Sequence, residues 1–171
     1  GAMYDMGCYI AHLFVQIAGN ATEVTANGLI ENGVDVETEF IVQSAEAKLV
    51  ASTSFNRDSP FDFQILGETG SVTIDPPANC PTSAHVRKTQ GHTLPCCAQK
   101  VVSTSSFHQP LQEYPAKLQP EQYPHGMGFV YMQKKVENCL ANHCLELDEV
   151  PYWSQLATQH IIDRVLDQVL L

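Results

Sequence analysis

The sequence has 171 residues, 44% of them apolar, and sets 19 acidic side chains against 9 basic ones for a formal net charge of −10. A chain of this size can bury roughly 70% of its unfolded surface around one core, which excludes intrinsic disorder. No apolar run nears the ~20 residues that a transmembrane helix needs, and the acidic balance excludes the basic patch of a nucleic-acid binder.

Tyr4 to Ala18 is a dense apolar block of helical period. Its polar residues Asp5, Tyr9, His12 and Gln16 follow the spacing i, i+4, i+7, i+11, which gathers them into one stripe on a helix. Met6, Cys8, Ile10, Leu13, Phe14, Val15 and Ile17 occupy the other faces, so the expectation is a helix buried nearly all round except for that stripe. Gly19-Asn20 is a plausible C-terminal stop.

From Thr22 to Asp75 the period changes to two. Thr22–Leu29 leads into Asn32-Gly33, a hairpin signal. Asp35–Gln43 puts Val36, Thr38, Phe40 and Val42 on one face, and Lys48–Phe55 likewise puts Leu49, Ala51, Thr53 and Phe55 together. Phe61, Phe63 and Ile65 alternate next, and Gly67-Glu68-Thr69-Gly70 turns into Ser71–Ile74. Short connections between alternating runs predict an antiparallel meander. Residues 75–125 are rich in Pro, Cys, His and Gln, with weaker strands at Ala84–Lys88 and Lys100–Ser105.

After Met127 the period is helical again, with Phe129, Met132, Val136, Cys139 and Leu140 on one face. A last helix, about Tyr152 to Leu170, is expected to bury Trp153, Leu156, Ala157, Ile161, Val165 and Val169. The expected class is α+β, an open, mostly antiparallel sheet with helices packed on one face.

No basic region precedes an apolar stretch at Gly1-Ala2-Met3-Tyr4-Asp5, so no export signal is visible. The expectation is a cytoplasmic chain with reduced thiols at Cys8, Cys80, Cys96, Cys97, Cys139 and Cys144. Neither G-x-G-x-x-G nor a P-loop occurs, and Arg57, Arg87 and Arg164 are scattered, so no phosphate cradle is recognisable.

Two constellations could carry chemistry. On the opening helix, Asp5 stands one turn before Tyr9, an arrangement able to move a proton if a cation stabilises the phenolate. Its structural alternative is an acidic residue favoured by the helix dipole beside a hydrogen-bonded core tyrosine. Cys80, His85, His92, Cys96 and Cys97 offer zinc-type ligands, but without a C-x-x-C or H-x₃₋₅-H pair. Cys139, His143 and Cys144, near a helix end, read as packing and capping residues.

Gly1-Ala2-Met3-Tyr4-Asp5-Met6-Gly7-Cys8-Tyr9 resembles the G-A-L-x-D-x-G-x-[YH] segment of the glucose–fructose oxidoreductase/inositol dehydrogenase (Gfo/Idh/MocA) family. The resemblance continues at Gly67-Glu68-Thr69-Gly70-Ser71, similar to the family's G-T-x-G-[ST] turn, at Gly128-Phe129-Val130-Tyr131, and in the closing helix. The tyrosine with Cys8 most resembles the dihydrodiol/D-xylose dehydrogenase and glucose–fructose oxidoreductase branches. This likeness implies a C-terminal domain on an open sheet, which in the family follows a Rossmann domain and acts on sugars, polyols or diols with NAD or NADP. It implies catalytic roles for Asp5 and Tyr9, beside a lysine from a Glu-Lys-Pro segment that this sequence lacks.

The resulting expectation is one substrate-binding and oligomerisation domain over residues 1–171, with the Rossmann domain absent. NADP or NAD would serve the full-length enzyme and neither is expected on this chain alone, which would then be inactive. The implied partners are a sugar, polyol or diol substrate and a second copy, paired through the open sheet face where Val50, Ile41 and Leu66 interrupt the polar alternation. Nucleic acid, membrane and metal are not expected. Two other readings stay open: an interaction and dimerisation domain that has lost catalysis, and a small zinc module built on Cys80 to Cys97.

Overall fold

The turn at Asn32 and Gly33 organises the first sheet. Both residues have positive φ, 52° and 79°, as a two-residue turn between twisted strands requires. It joins β1 (Glu23–Glu31) to β2 (Val34–Gln43), and β3 (Lys48–Ser54) pairs on the far side of β2, all antiparallel. The computed structural model describes residues 1–58, 61–76, 78, 84–89, 101–107 and 127–170. The chain forms two compact units, Gly1–Ser59 with Asn138–Leu171, and Pro60–Glu137.

In the first unit a π-helical turn (Met3–Gly7) runs into α1 (Cys8–Ala18), and α3 (Tyr152–Val169) packs on β1, on β2 and against α1. Strand register explains the inner face of the sheet. Val24, Val42 and Leu49 lie opposite one another, as do Ala26, Phe40 and Ala51. Phe40 and Val42 of the sheet, Ile161, Ile162 and Val165 of α3, and Ala11, Phe14 and Val15 of α1 are all buried, with α3 packed between the strands and α1. Each large apolar side chain so buried contributes about 1.5–3 kcal/mol. The outer face lacks such cover: Val50 is 72% exposed. The expected α+β class, open antiparallel sheet with helices, is therefore what the structure has, although the strands divide into a three-stranded and a four-stranded sheet where one was expected.

Two helices differ from expectation. In α3 the buried positions are Ser154, Thr158, Ile161, Ile162, Val165 and Val169, whereas Trp153 and Leu156 are 52% and 71% exposed. The helix can turn its hydroxyls inward because they bond to their own backbone. Ser154 Oγ donates to Pro151 O at 2.8 Å and Thr158 Oγ1 to Ser154 O at 2.7 Å, so burying them leaves nothing unsatisfied. The opening segment buries only a narrow face, from Ala2, Met3 and Gly7 to Ala11, Phe14 and Val15, while Tyr4 and Ile17 are half-exposed.

One strand irregularity has a large effect. Leu29 pairs with Glu37 and Ile30 with Asp35, so Val36 is bulged out of the ladder. A bulge re-aims the side chains beside it. Plain alternation places Val36 in the core with Thr38; the bulge leaves Val36 half-buried and drives Asp35 inward to 4% exposure. There Asp35 Oδ2 accepts Met3 N–H at 2.7 Å and Thr38 Oγ1–H at 3.3 Å, and the Gly1 nitrogen lies 3.7 Å from Oδ1.

The free edge of β1 is also occupied. Gln168 of α3 accepts Ala26 N–H at 3.0 Å through Oε1 and donates from Nε2 to Val24 O at 3.0 Å. Its amide thus takes the place of a neighbouring strand's peptide.

In the second unit β4 (Phe63–Gly67), β5 (Gly70–Ile74), β6 (Ala84–Thr89) and β7 (Val101–Phe107) form an antiparallel sheet in that order. Glu68-Thr69 is the two-residue turn expected between Gly67 and Gly70. Along α2 (Met127–Ala141), Met132, Val136 and Leu140 are exposed.

Replacing Asp35 by Ala strands the Met3 amide and the Thr38 hydroxyl in the core. The expected cost is about 2–3 kcal/mol, given what hydrogen bonds to charged groups contribute. Urea unfolding should show it as a lower midpoint with unchanged slope, and Asp35→Asn, which keeps an acceptor, should lose less.

Candidate functional site

Asp5 sits at the centre of the π-helical turn and Tyr9 one turn later on α1. Both face solvent, Tyr9 at 47% exposure. An uninterrupted α-helix was the expectation here; π turns instead recur where a helix is adapted to function. The wide turn accompanies two close approaches made possible by glycine. A Cβ on Gly1 would strike the Asp35 carboxyl group, and one on Gly7 would strike Met3 Sδ. Asp5 N closes the turn by donating to Gly1 O at 3.1 Å.

The lower half of the polar stripe has another role. Because the Thr158 hydroxyl proton is given to Ser154 O, its oxygen must accept from His12 Nδ1, 3.1 Å away. That leaves His12 Nε2 as acceptor for Gln16 Nε2–H at 3.3 Å. The network assigns a neutral imidazole protonated on Nδ1, and burial pushes its pKa down. His12, braced by Gln16, therefore ties α1 to α3 and is not a proton carrier.

Two further contacts border the site. Tyr4 Oη accepts from Gln159 Nε2 at 3.1 Å, and Gln159 donates also to Asp163 at 2.6 Å. Burial, with Asp5 nearby, pushes the Cys8 thiol up, so it stays protonated and is a poor nucleophile. The Tyr9 phenol and, one turn before it, the Asp5 carboxyl are both exposed on this face of the helix.

Asp35 is the site residue that sequence patterning missed. The only signal was an acidic residue beside the hairpin turn, a place usually open to water. Of the suggested zinc ligands, Cys80, His92, Cys96 and Cys97 lie outside the described residues. His85 Nε2 is 2.8 Å from Asp75 Oδ2. Among the described residues no three His, Cys, Asp or Glu side chains cluster to hold a metal ion.

The shallow depression on the outer sheet face, of about 370 Å³, is lined by Thr25, Asn27, Glu39, Ile41, Val50 and Ser52. It offers a carboxylate and no cation, the wrong charge for a pyrophosphate.

No family model and no curated protein matches the sequence. Solved structures do match in fold. An oxidoreductase from Agrobacterium radiobacter, in complex with NAD+, L-tartaric acid and magnesium, gives a TM-score of 0.65 at 12% identity. The match covers 97% of this chain and 46% of that one. KijD10, a 3-ketoreductase from Actinomadura kijaniata in complex with TDP-benzene and NADP, gives 0.64 at 15% identity over 99% of this chain and 47% of its own. A lysine-to-alanine variant of KijD10 gives 0.66 at 15% identity, over 99% and 48%. At these identities the likeness is one of fold. It fits, coarsely, the architecture that the family resemblance implied. The chain spans just under half the length of the structures it matches.

No helix among the described residues is long and apolar enough to cross a membrane.

The lowered pKa of His12 makes stability depend on pH. Unfolding raises the proton affinity of its ring, so its contribution is complete above the ordinary value of 6.5 and is lost as pH falls through the lower folded value. Urea midpoints should drop on acidification from neutrality, and His12→Asn should drop less over the same window.

Proposed function

We propose that this chain is the C-terminal substrate and dimerisation domain of an NAD(P)-dependent oxidoreductase of the Gfo/Idh/MocA type, acting on sugars, polyols or diols. The observation that carries this reading is the match in fold over 97–99% of the chain to oxidoreductases solved with NAD+ or NADP. The position of the exposed Asp5 and Tyr9 on the opening helix supports it.

In this reading Tyr9 Oη takes the proton from a substrate hydroxyl as the carbon bearing that hydroxyl is oxidised. Asp5 orients the hydroxyl or the cation that stabilises the phenolate. The His12 anchor and the Asp35 clamp hold the helix so that neither group drifts. In this reading the hydride acceptor binds outside this chain, whose sequence carries neither the G-x-G-x-x-G nor the P-loop motif, and catalysis then needs a nucleotide-binding domain. The protein is proposed to be cytoplasmic.

A titration of the chain with NADH and NADPH, followed by nicotinamide fluorescence and quenching of Trp153, tests the assignment. No saturation up to millimolar cofactor is expected. Saturable micromolar binding would overturn it. In an active assembly with a nucleotide-binding domain, Tyr9→Phe should cut kcat by about 100-fold or more, the usual worth of a positioned proton-transfer group. Unchanged turnover would remove Tyr9 from the mechanism and favour an interaction domain without catalysis.

The homodimer is proposed to form through the outer sheet face. Val50 lies opposite Ile41 on that face, an apolar pair between Glu39 and Lys48. Sedimentation velocity should find a dimer for the wild type and a monomer for Val50→Glu, which would bury a charge in the interface.

A further inference from the structure

The end of α2 brings two thiols together. His143 N donates to Leu140 O at 3.2 Å and Cys144 N to Cys139 O at 2.9 Å, with His143 at a left-handed φ of 56°. These are the paired bonds of the Schellman motif, in which the third residue from the helix end meets the second residue beyond the cap. An apolar pair ordinarily fills those two places, and here they hold Cys139 and Cys144.

The backbone bond between them limits their Cα separation to at most about 7 Å, whereas a disulfide spans roughly 4.4–6.8 Å. Cys139 Sγ is drawn further toward its partner by donating to Cys144 O at 3.2 Å and Glu146 O at 3.4 Å. Both are free thiols, Cys144 exposed and Cys139 half-buried.

We propose that Cys139 and Cys144 are a redox modification site that closes to a disulfide when the protein meets a hydroperoxide. Cys144, the more accessible, attacks first as its thiolate. A sulfur–oxygen bond forms, the peroxide O–O bond breaks, and hydroxide or alkoxide leaves and takes up a proton. Cys139, after losing its proton, then attacks the sulfenic sulfur of Cys144; the S–S bond forms, the S–O bond breaks and water leaves. Two thiols are oxidised by two electrons and the hydroperoxide is reduced. Because the cap already holds the pair together, closure needs no refolding of the helix end. The bond would pin the connection into α3, where Tyr152 N donates to Glu146 at 2.7 Å and Tyr152 Oη to Leu145 O at 3.0 Å. This inference is independent of the oxidoreductase reading.

The test treats reduced protein with hydrogen peroxide, blocks remaining thiols with N-ethylmaleimide and digests with trypsin. Both cysteines fall in one peptide, Val136–Arg164. It should escape alkylation, be lighter by two hydrogens, and take up two maleimides only after dithiothreitol. Cys144→Ser should leave Cys139 open to maleimide. His143→Pro keeps both thiols but cannot adopt a positive φ, so most of the disulfide yield should be lost. Alkylation of both thiols after oxidation, pairing of either with another cysteine, or undiminished pairing in His143→Pro would each overturn the proposal.

Discussion

The hydrogen bond from Met3 N to the buried carboxyl group of Asp35 sets where the opening helix begins. Helix starts present backbone N–H groups without partners, commonly satisfied by a side chain just upstream. Here the acceptor comes from a strand thirty-two residues away, so a local cap is replaced by a tertiary one. The bond fixes the π-helical turn on the sheet and with it the placing of Asp5, two residues on, and Tyr9 on the next turn. Asp35 is available only because the bulge at Val36 turns it inward, and the Gly1 backbone fits over its carboxyl group only because it lacks a Cβ.

The polar stripe of the opening helix divides into two working halves. Asp5 and Tyr9 look into solvent. His12 and Gln16 are joined to Thr158 through an ordered set of donors and acceptors that leaves the imidazole neutral. Small hydroxyl residues on α3 make this possible, since Thr158 can satisfy its own backbone and still receive the His12 proton. A larger apolar residue at that position would fill the interface and leave the imidazole without its anchor.

Period and turn chemistry made most of the fold legible. Asn32-Gly33 and Gly67 to Gly70 located two hairpins, Gly19 ended the opening helix, and the alternation of Thr38, Phe40 and Val42 correctly named the inward face of β2. The errors have a common physical source. Apolarity alone placed Trp153 and Leu156 in the core and overlooked Ser154 and Thr158, whose hydroxyls lose their polarity by bonding to the helix itself. Strict alternation likewise hid Asp35, because a bulge moves a residue across the sheet without changing the sequence pattern. Spacing placed Asp5 and Tyr9 together on the exposed stripe of the opening helix, while the groups that hold that helix come from distant segments.

Gln168 has a consequence for how the first unit meets other chains. An uncovered outer strand is a template on which an extended peptide can add, the route to strand augmentation and to aggregation. The side-chain amide of Gln168 occupies both the donor of Ala26 and the acceptor of Val24. An incoming strand would have to displace two hydrogen bonds before making its own. The same glutamine that fastens the last helix to the sheet thus guards this edge against the wrong kind of neighbour.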